Sequence, residues 1–300
     1  MLGGGGFIGT NLCRRLVREG WRVRAFGRRS AFRAQMEGVE WYEGDLSDAT
    51  SLINAVQSVD VIFHLANSAT PQSANANIAA DVQSNLLPSL ALLDLASKQS
   101  IGRIVFVSSG GTIYGPSAVI PTPESAPTDP MTAYAISKLA FEKYLALYGA
   151  IHGLQYRILR VSNPYGPFQK TGKNQGLIAA LISRRLADDD IEIWGDGSVV
   201  RDFIYVDDVV DAMLAAADHH GNERIFNIGS GEGKSIRDII GAVEAQLGSL
   251  STVWKPNRPV DLPVSILAID RAKQALGWSP KISLQEGIAR TIAWWRSEHP

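Results

Sequence analysis

The sequence has a single cysteine, Cys13, which excludes an internal disulfide and a cysteine-built metal cluster and fits a reducing compartment. It has no excess of charge. The 29 Lys and Arg stand against 30 Asp and Glu, a net charge of -1, and leave no electrostatic footprint for nucleic acid or an anionic membrane. No apolar run approaches about 18 residues, and no basic N-terminal segment leads into an apolar core, so neither a membrane span nor a signal peptide is expected. The five histidines (His64, His152, His219, His220, His299) are scattered, and "ADDD" at Ala187 to Asp190 reads as a solvated acidic turn, so no metal site is expected. What remains, at 300 residues with 45% hydrophobic and 20% charged, is an ordinary globular protein of one large domain or two coupled ones, expected in the cytoplasm.

Short β-rich runs alternate with helical stretches through the first half. "WRVRAF", "VDVIFHLA", "GRIVFVSS" and "YRILRVSN" read as strands, separated by segments such as "TNLCRRLVREG" and "NLLPSLALLDLASK". That alternation predicts parallel βαβ units. From about Pro167 the texture changes to loops, helices and proline-rich links, which predicts a smaller second lobe. "RDFIYVDDVVDAMLAAA" and "RIFNIGSG" again resemble elements of the first. The expected architecture is α/β: a Rossmann-type doubly wound parallel sheet over 1–166 with return segments at about 201–230, and a smaller C-terminal α/β lobe over 167–300.

"LGGGGFIGTNLCRRLVREG" places Gly3, Gly6 and Gly9 immediately before a helical pattern. Glycines in that position permit a tight turn and let a pyrophosphate approach the backbone N–H groups of a helix start. Only Met1 and Leu2 precede the loop, whereas a central strand usually has about five residues; the native chain is expected to begin a few residues upstream. At the end of "WRVRAF", where a carboxylate would grip the adenosine ribose, stand Gly27, Arg28 and Arg29. Asp45 and Leu46 in "YEGDLSD" are placed to bracket an adenine, and Leu65 and Ala66 in "FHLAN" to line a cofactor groove.

"TAYAISKLAFEKY" sets Tyr134 and Lys138 four residues apart in a helical pattern. The spacing puts them on one helix face, where they are either a reactive pair or a weak solvated contact.

Taken in order, "GGGGFIG", "GDLSD", "FHLA", "VFVSSGGTIYG", "YAISK", "RVSNPYGP", "GDGSVVRDFIYVDDVV", "NIGSG" and "LGWSP" closely resemble the extended short-chain dehydrogenase/reductases, the NAD-dependent epimerase/dehydratase family, and most of all its UDP-glucose 4-epimerase-like branch. The resemblance spans nearly the whole chain. It implies that Tyr134 and Lys138 are the catalytic Tyr-x-x-x-Lys pair, the ammonium helping to turn a phenol of pKa near 10 into a base. It implies cofactor contacts at Gly3, Gly6, Phe7, Ile8, Gly9, Asp45, Leu46, Leu65, Ala66 and Asn85 as well as at the pair itself. It carries over substrate contacts at Asn163, Asn174, Leu177, Arg201, Arg258 and Asp261, the arginines suiting a diphosphate through their bidentate fork. Asp207 and Asp208 are assigned to helix capping.

The sequence departs from the family pattern at Gly110, where a catalytic Ser or Thr usually stands. Ser109 or Thr112 is then expected to bond the sugar hydroxyl, unless the register slips by one. Gly111 and Thr112 also replace the acids that dehydratases and decarboxylases use. The resemblance therefore implies a nucleotide-sugar 4-epimerase working by transient C4 oxidation with bound NAD or NADP. The rivals are an NADPH-dependent 4-keto-sugar reductase and a catalytically silent cofactor-binding regulator. Gly27 with Arg28 and Arg29 tilts the cofactor expectation towards NADP. Leu139, Phe141, Tyr144, Leu145 and Tyr148 supply more apolar surface on the Tyr134 helix than one buried face requires, and a homodimer is expected.

Overall fold

The computed structural model describes residues 1–28, 32–99, 101–117, 119–171, 176–256 and 262–298. Its centre is a parallel sheet in which the strand Val39–Glu43 pairs with Val23–Gly27, and Val61–His64, Arg103–Ser109, Tyr156–Val161 and Ile225–Ile228 follow one another across the other half. Leu2 joins the halves by parallel bridges to Phe26 and His64. The two residues ahead of the glycine loop thus occupy the centre of the sheet.

The strands are apolar on both sides because helices cover both sides. Side chains alternate between two cores with the strand period of two. On one face Val105, Val107 and Leu159 pack with Leu12 and Leu16 of helix Phe7–Arg18 and with Val209 and Met213 of helix Val206–Asp218. On the other, Ile104, Phe106 and Ile158 meet Leu52 of helix Ala49–Val56, Leu92 and Leu93 of helix Leu87–Lys98, and Phe141 and Leu145 of helix Ala133–His152. This is a Rossmann-type doubly wound sheet.

A third core lies among helices Leu177–Leu186, Ile236–Leu247 and Leu284–Glu298, built on Leu181, Ile239, Ile288 and Trp295. Ile191 and Ile193 of the small strand Ile191–Trp194 join it. The carboxylate of Asp202, fully buried, accepts from the amides of Ser230, Gly231 and Leu267. It ties the segment entering the last helix of the sheet to two loops beyond it.

One assignment needs correction. Asp208 does not cap its helix: its side chain, 2% exposed, accepts from the Lys281 and Ile282 amides at 2.9 and 3.1 Å. It anchors the loop leading to the last helix, while Asp207, also in the first turn, lies 3.6 Å from the Arg290 guanidinium. Tyr205 is the N-cap and makes no side-chain capping bond.

Candidate active site

A cavity of about 580 Å³ lies among Met1, Arg24, Glu40 and Asp60 at the N-terminal ends of the strands. Ligands of open α/β sheets bind at the other end, beyond the strand carboxyl termini. There a groove of about 410 Å³ is lined by Gly3, Gly6, Arg28, Asp45, Leu46, Leu65, Ala66 and Asn85.

The glycine loop shapes its floor. Gly3 has φ +82°, and a Cβ there would sit 2.7 Å from the Ala66 nitrogen. A Cβ on Gly9 would collide with the Gly3 carbonyl oxygen. Gly6 is the N-cap, so Phe7 and Ile8 open the helix and their N–H groups are among those left without helical partners. Such a cradle fits the pyrophosphate of a dinucleotide. At the groove's far end Asp45 accepts from the Ser47 amide and hydroxyl at 3.0 and 2.7 Å, which holds its carboxyl below the usual range with help from nearby Arg28. Arg28 itself is exposed. Arg29 lies outside the described residues.

Helix Ala133–His152 carries Tyr134 and Lys138, and Lys138 lines a small cavity that shares Ala66, Asn67 and Asn85 with this groove. Thr132 caps the helix by accepting from the Ala135 amide at 3.3 Å, and Asn75 accepts from the Ala133 amide at 2.8 Å. The helix start is therefore fixed one residue before the tyrosine. Lys138 is 7% exposed, donates from Nζ to the Val107 carbonyl at 3.0 Å and lies 5.8 Å from the centre of the Tyr134 ring. One turn on, Glu142 is held by Arg160 at 2.6 Å and by the Ser108 hydroxyl at 2.6 Å, so the helix is clamped to the strands beneath it.

Electrostatics in the pair run against simple base chemistry. Tyr134 is half-buried, yet burial of its phenol pushes it up to about 12, with Ser109 opposing and Asp81 adding to the rise. Burial pulls the Lys138 ammonium down to about 8, against the attraction of Asp81 and Glu142.

Strand Arg103–Ser109 delivers Ser109 to the tyrosine, and Thr112 donates to the Ser109 hydroxyl at 2.8 Å. The bonded Thr112 and Ser109 hydroxyls thus stand near Tyr134, where Ser109 favours the ionised phenol. Gly110 carries no side chain because none fits: a Cβ would collide with Leu267 Cδ1 and stand 2.8 Å from the Arg160 carbonyl oxygen.

The expected substrate residues are less uniform. Asn163 begins strand Asn163–Tyr165 and donates from its side chain to the Asp202 carbonyl at 3.0 Å. Leu177 opens helix Leu177–Leu186 after Gly176. The Arg201 guanidinium donates to the Val200 and Leu262 carbonyls at 2.9 and 2.7 Å, so one of its arms is engaged by backbone. Asn174, Arg258 and Asp261 lie outside the described residues.

Two residues beside the site, Ser68 and Asp81, lie outside every quoted motif, and Ser137 stands in "YAISK" with no role of its own assigned. Asn85 accepts from the Ser68 amide and hydroxyl and donates to Asp81, which in turn accepts from Ser137. The readable signal was the four-residue spacing of Asp81 and Asn85; the partners come from distant segments.

A family profile described as NAD dependent epimerase/dehydratase matches residues 1–229. The chain belongs to the NAD dependent epimerase/dehydratase family. Within that family it is 34% identical over 306 aligned positions to the UDP-glucose 4-epimerase of Mycolicibacterium smegmatis, covering 99% of this chain and 97% of that one. Among family structures, the Thermotoga maritima UDP-glucose 4-epimerase solved with UDP-glucose superposes with a TM-score of 0.95 at 34% identity, covering 100% of this chain and 98% of its own. The Thermus thermophilus UDP-glucose 4-epimerase solved with NAD superposes at 0.91 with 33% identity, covering 98% and 97%.

Proposed function

We propose that this member of the epimerase/dehydratase family is a nucleotide-sugar 4-epimerase acting on a UDP-sugar class of substrate. The observation that carries the reading is the bonded Thr112 and Ser109 hydroxyls near Tyr134 and buried Lys138, next to a cradle suited to a dinucleotide. The relatives named above support the choice of reaction, as does the absence of a carboxylate at Gly111 and Thr112 for work at C5. When bound, an NAD-type dinucleotide supplies the carbon that takes up and returns hydride, and a positive charge.

The chain's own residues then divide the work. Tyr134 takes the proton from the C4 hydroxyl as the carbon is oxidised and gives it back when the sugar is reduced on the other face. Ser109, steadied by Thr112, orients that hydroxyl. Lys138 supplies the cation that a phenol needs to ionise inside protein. Asn163, Asn174, Leu177, Arg201, Arg258 and Asp261 hold the nucleotide sugar, and the glycine loop with Asp45, Leu46, Leu65, Ala66 and Asn85 holds the dinucleotide. Residues 1–166 with the return over 201–230 form the cofactor unit, and 167–300 contribute most of the sugar unit. Among the described residues no helix is long and apolar enough to cross a membrane; with its one buried, free cysteine, we place the enzyme in the cytoplasm. Exchange between a UDP-sugar and its C4 epimer, without consumption of reductant, tests the reading.

Arg28 tilts the cofactor towards NADP. Gly27 presents no carboxylate to repel a 2′-phosphate, and Arg28 stands at the groove rim. Titration of both dinucleotides should show NADP bound more tightly than NAD, with Arg28→Ala weakening NADP about tenfold and leaving NAD nearly unchanged. Equal affinities in both proteins would remove the idea.

The homodimer reading rests on surface that the monomer leaves uncovered. Phe141 and Leu145 are buried, but Ile136, Leu147 and Ile151 on the same helix are 54%, 47% and 64% exposed, and Leu87 on the neighbouring helix is 53% exposed. A second copy packing these helices against its own would cover them. Sedimentation at micromolar concentration should give a dimer that Leu147→Glu with Ile151→Lys converts to a folded monomer. A wild-type monomer would contradict it.

A further inference from the structure

Between helix Ile78–Asp81 and helix Leu87–Lys98 the chain makes one π-helical turn, Val82–Leu86. Turns of this kind insert an extra residue and are frequent at functional sites. This one brings Asn85 over Asp81. The Asn85 side-chain amide donates to Asp81 Oδ1 at 2.9 Å, and the Ser137 hydroxyl donates to Asp81 Oδ2 at 2.6 Å. Asp81 is only 3% exposed.

A buried carboxylate held by two neutral donors still carries an uncompensated charge, and such a charge is costly unless a cation lies within electrostatic reach. Among the described residues no basic side chain is bonded to Asp81. The next residue after Ser137 is Lys138, whose ammonium is itself buried and bonded only to a carbonyl, above the Phe106 ring at 4.7 Å. Asn85 and Ser137, the two side chains that hold Asp81, line one small cavity with Lys138, and in this buried, weakly polarisable setting the Asp81 charge favours the protonated ammonium. At such low effective dielectric a separated pair still interacts appreciably.

The other charged or titratable groups around Lys138 do not substitute for Asp81. Glu142, on the same helix, is engaged by Arg160 and Ser108. His64, on the strand beneath, is pulled down to about 3 by burial and is neutral. Tyr134 is the group to be ionised.

We propose that Asp81 is a positioning residue that acts through its charge: a buried counter-ion, fixed by Asn85 and Ser137, that keeps the Lys138 ammonium protonated and sets the pH range in which the Tyr134 and Lys138 pair works. The kinetic part rests on the epimerase reading; the charge coupling does not. Asp81 raises both groups. Removing its charge therefore lowers both: Lys138 loses its proton at lower pH, and Tyr134 ionises at lower pH.

Two readouts test this in the full-length protein saturated with NAD. The first is the tyrosinate ultraviolet difference titration, wild type minus Tyr134→Phe, which reads Tyr134 whether or not the protein epimerises anything. The second is the pH profile of UDP-glucose turnover. Asp81→Asn keeps size and polarity and removes the charge; both the Tyr134 midpoint and the alkaline limb of the profile should move towards acid by about one pH unit. Ser137→Ala keeps the carboxylate and should leave the Tyr134 midpoint where it is in wild type. Asp81→Ser removes the same charge if the amide variant does not fold. An unmoved midpoint in the charge-removing variant overturns the proposal, as does a Ser137→Ala variant that reproduces its shift, since a hydrogen bond would then be responsible. A protein with no epimerase activity but a shifted Tyr134 titration would refute the function and retain the coupling.

Discussion

Tyr134→Phe should lower kcat by roughly 10² to 10⁴ while leaving the affinity for nucleotide sugar and dinucleotide nearly unchanged. The ring is retained, so helix Ala133–His152 keeps its packing and Lys138 its place over Phe106. Only the proton acceptor is lost, and with it the phenol beside the Ser109 hydroxyl. Steady-state kinetics with UDP-glucose, together with a binding titration, measures both quantities. A variant that retains turnover within a few-fold, or that fails only through KM, would show that Tyr134 is not the group moving the proton.

The second large effect belongs to the serine and threonine. Ser109 acts on the ionisation of the tyrosine, and Thr112 bonds Ser109 at 2.8 Å, so the two are not equivalent. Thr112→Ala leaves the reacting hydroxyl in place and should cost only several-fold. Ser109→Ala should cost about 10², the scale for removing one preorganised donor near developing charge. The double variant should lose most activity, because both hydroxyls of the bonded pair are then gone. Restoring the family's usual residue by Gly110→Ser should not rescue it: the new side chain would meet Leu267 and a backbone oxygen that cannot withdraw. A fully active double variant, or rescue by Gly110→Ser, would mean that another group orients the sugar.

The lining of the groove was legible because it is written in short segments. A glycine turn needs neighbouring glycines, strand ends carry their ligands with them, and a pair at helical spacing falls on one face whatever surrounds it. "GRIVFVSS" and "YRILRVSN" became the strands Arg103–Ser109 and Tyr156–Val161, with their apolar alternation divided between two cores. Helix Ala133–His152 was harder. Apolar residues occur nearly all round it, so periodicity could not separate buried Phe141 and Leu145 from exposed Ile136, Leu147 and Ile151. Asp208 looked like a cap because it stands in a first turn, but a contact seventy-odd residues away claims its carboxylate. Asp81 was silent for the same reason. Its meaning comes from a π-helical turn and from Ser137 on another helix, and neither is encoded in the residues beside it.

The central claim is that the sugar leaves the enzyme as its C4 epimer with no net redox change. The direct measurement is to incubate the purified protein with NAD or NADP and either UDP-glucose or UDP-galactose in deuterated water, follow both sugars by chromatography with mass detection, and record dinucleotide absorbance throughout. The account predicts that each sugar converts to the other until both incubations reach the same ratio, with no consumption of dinucleotide and no solvent deuterium at C5. Stoichiometric oxidation of NADPH by a 4-keto sugar, without exchange between the two epimers, would contradict it and identify a reductase.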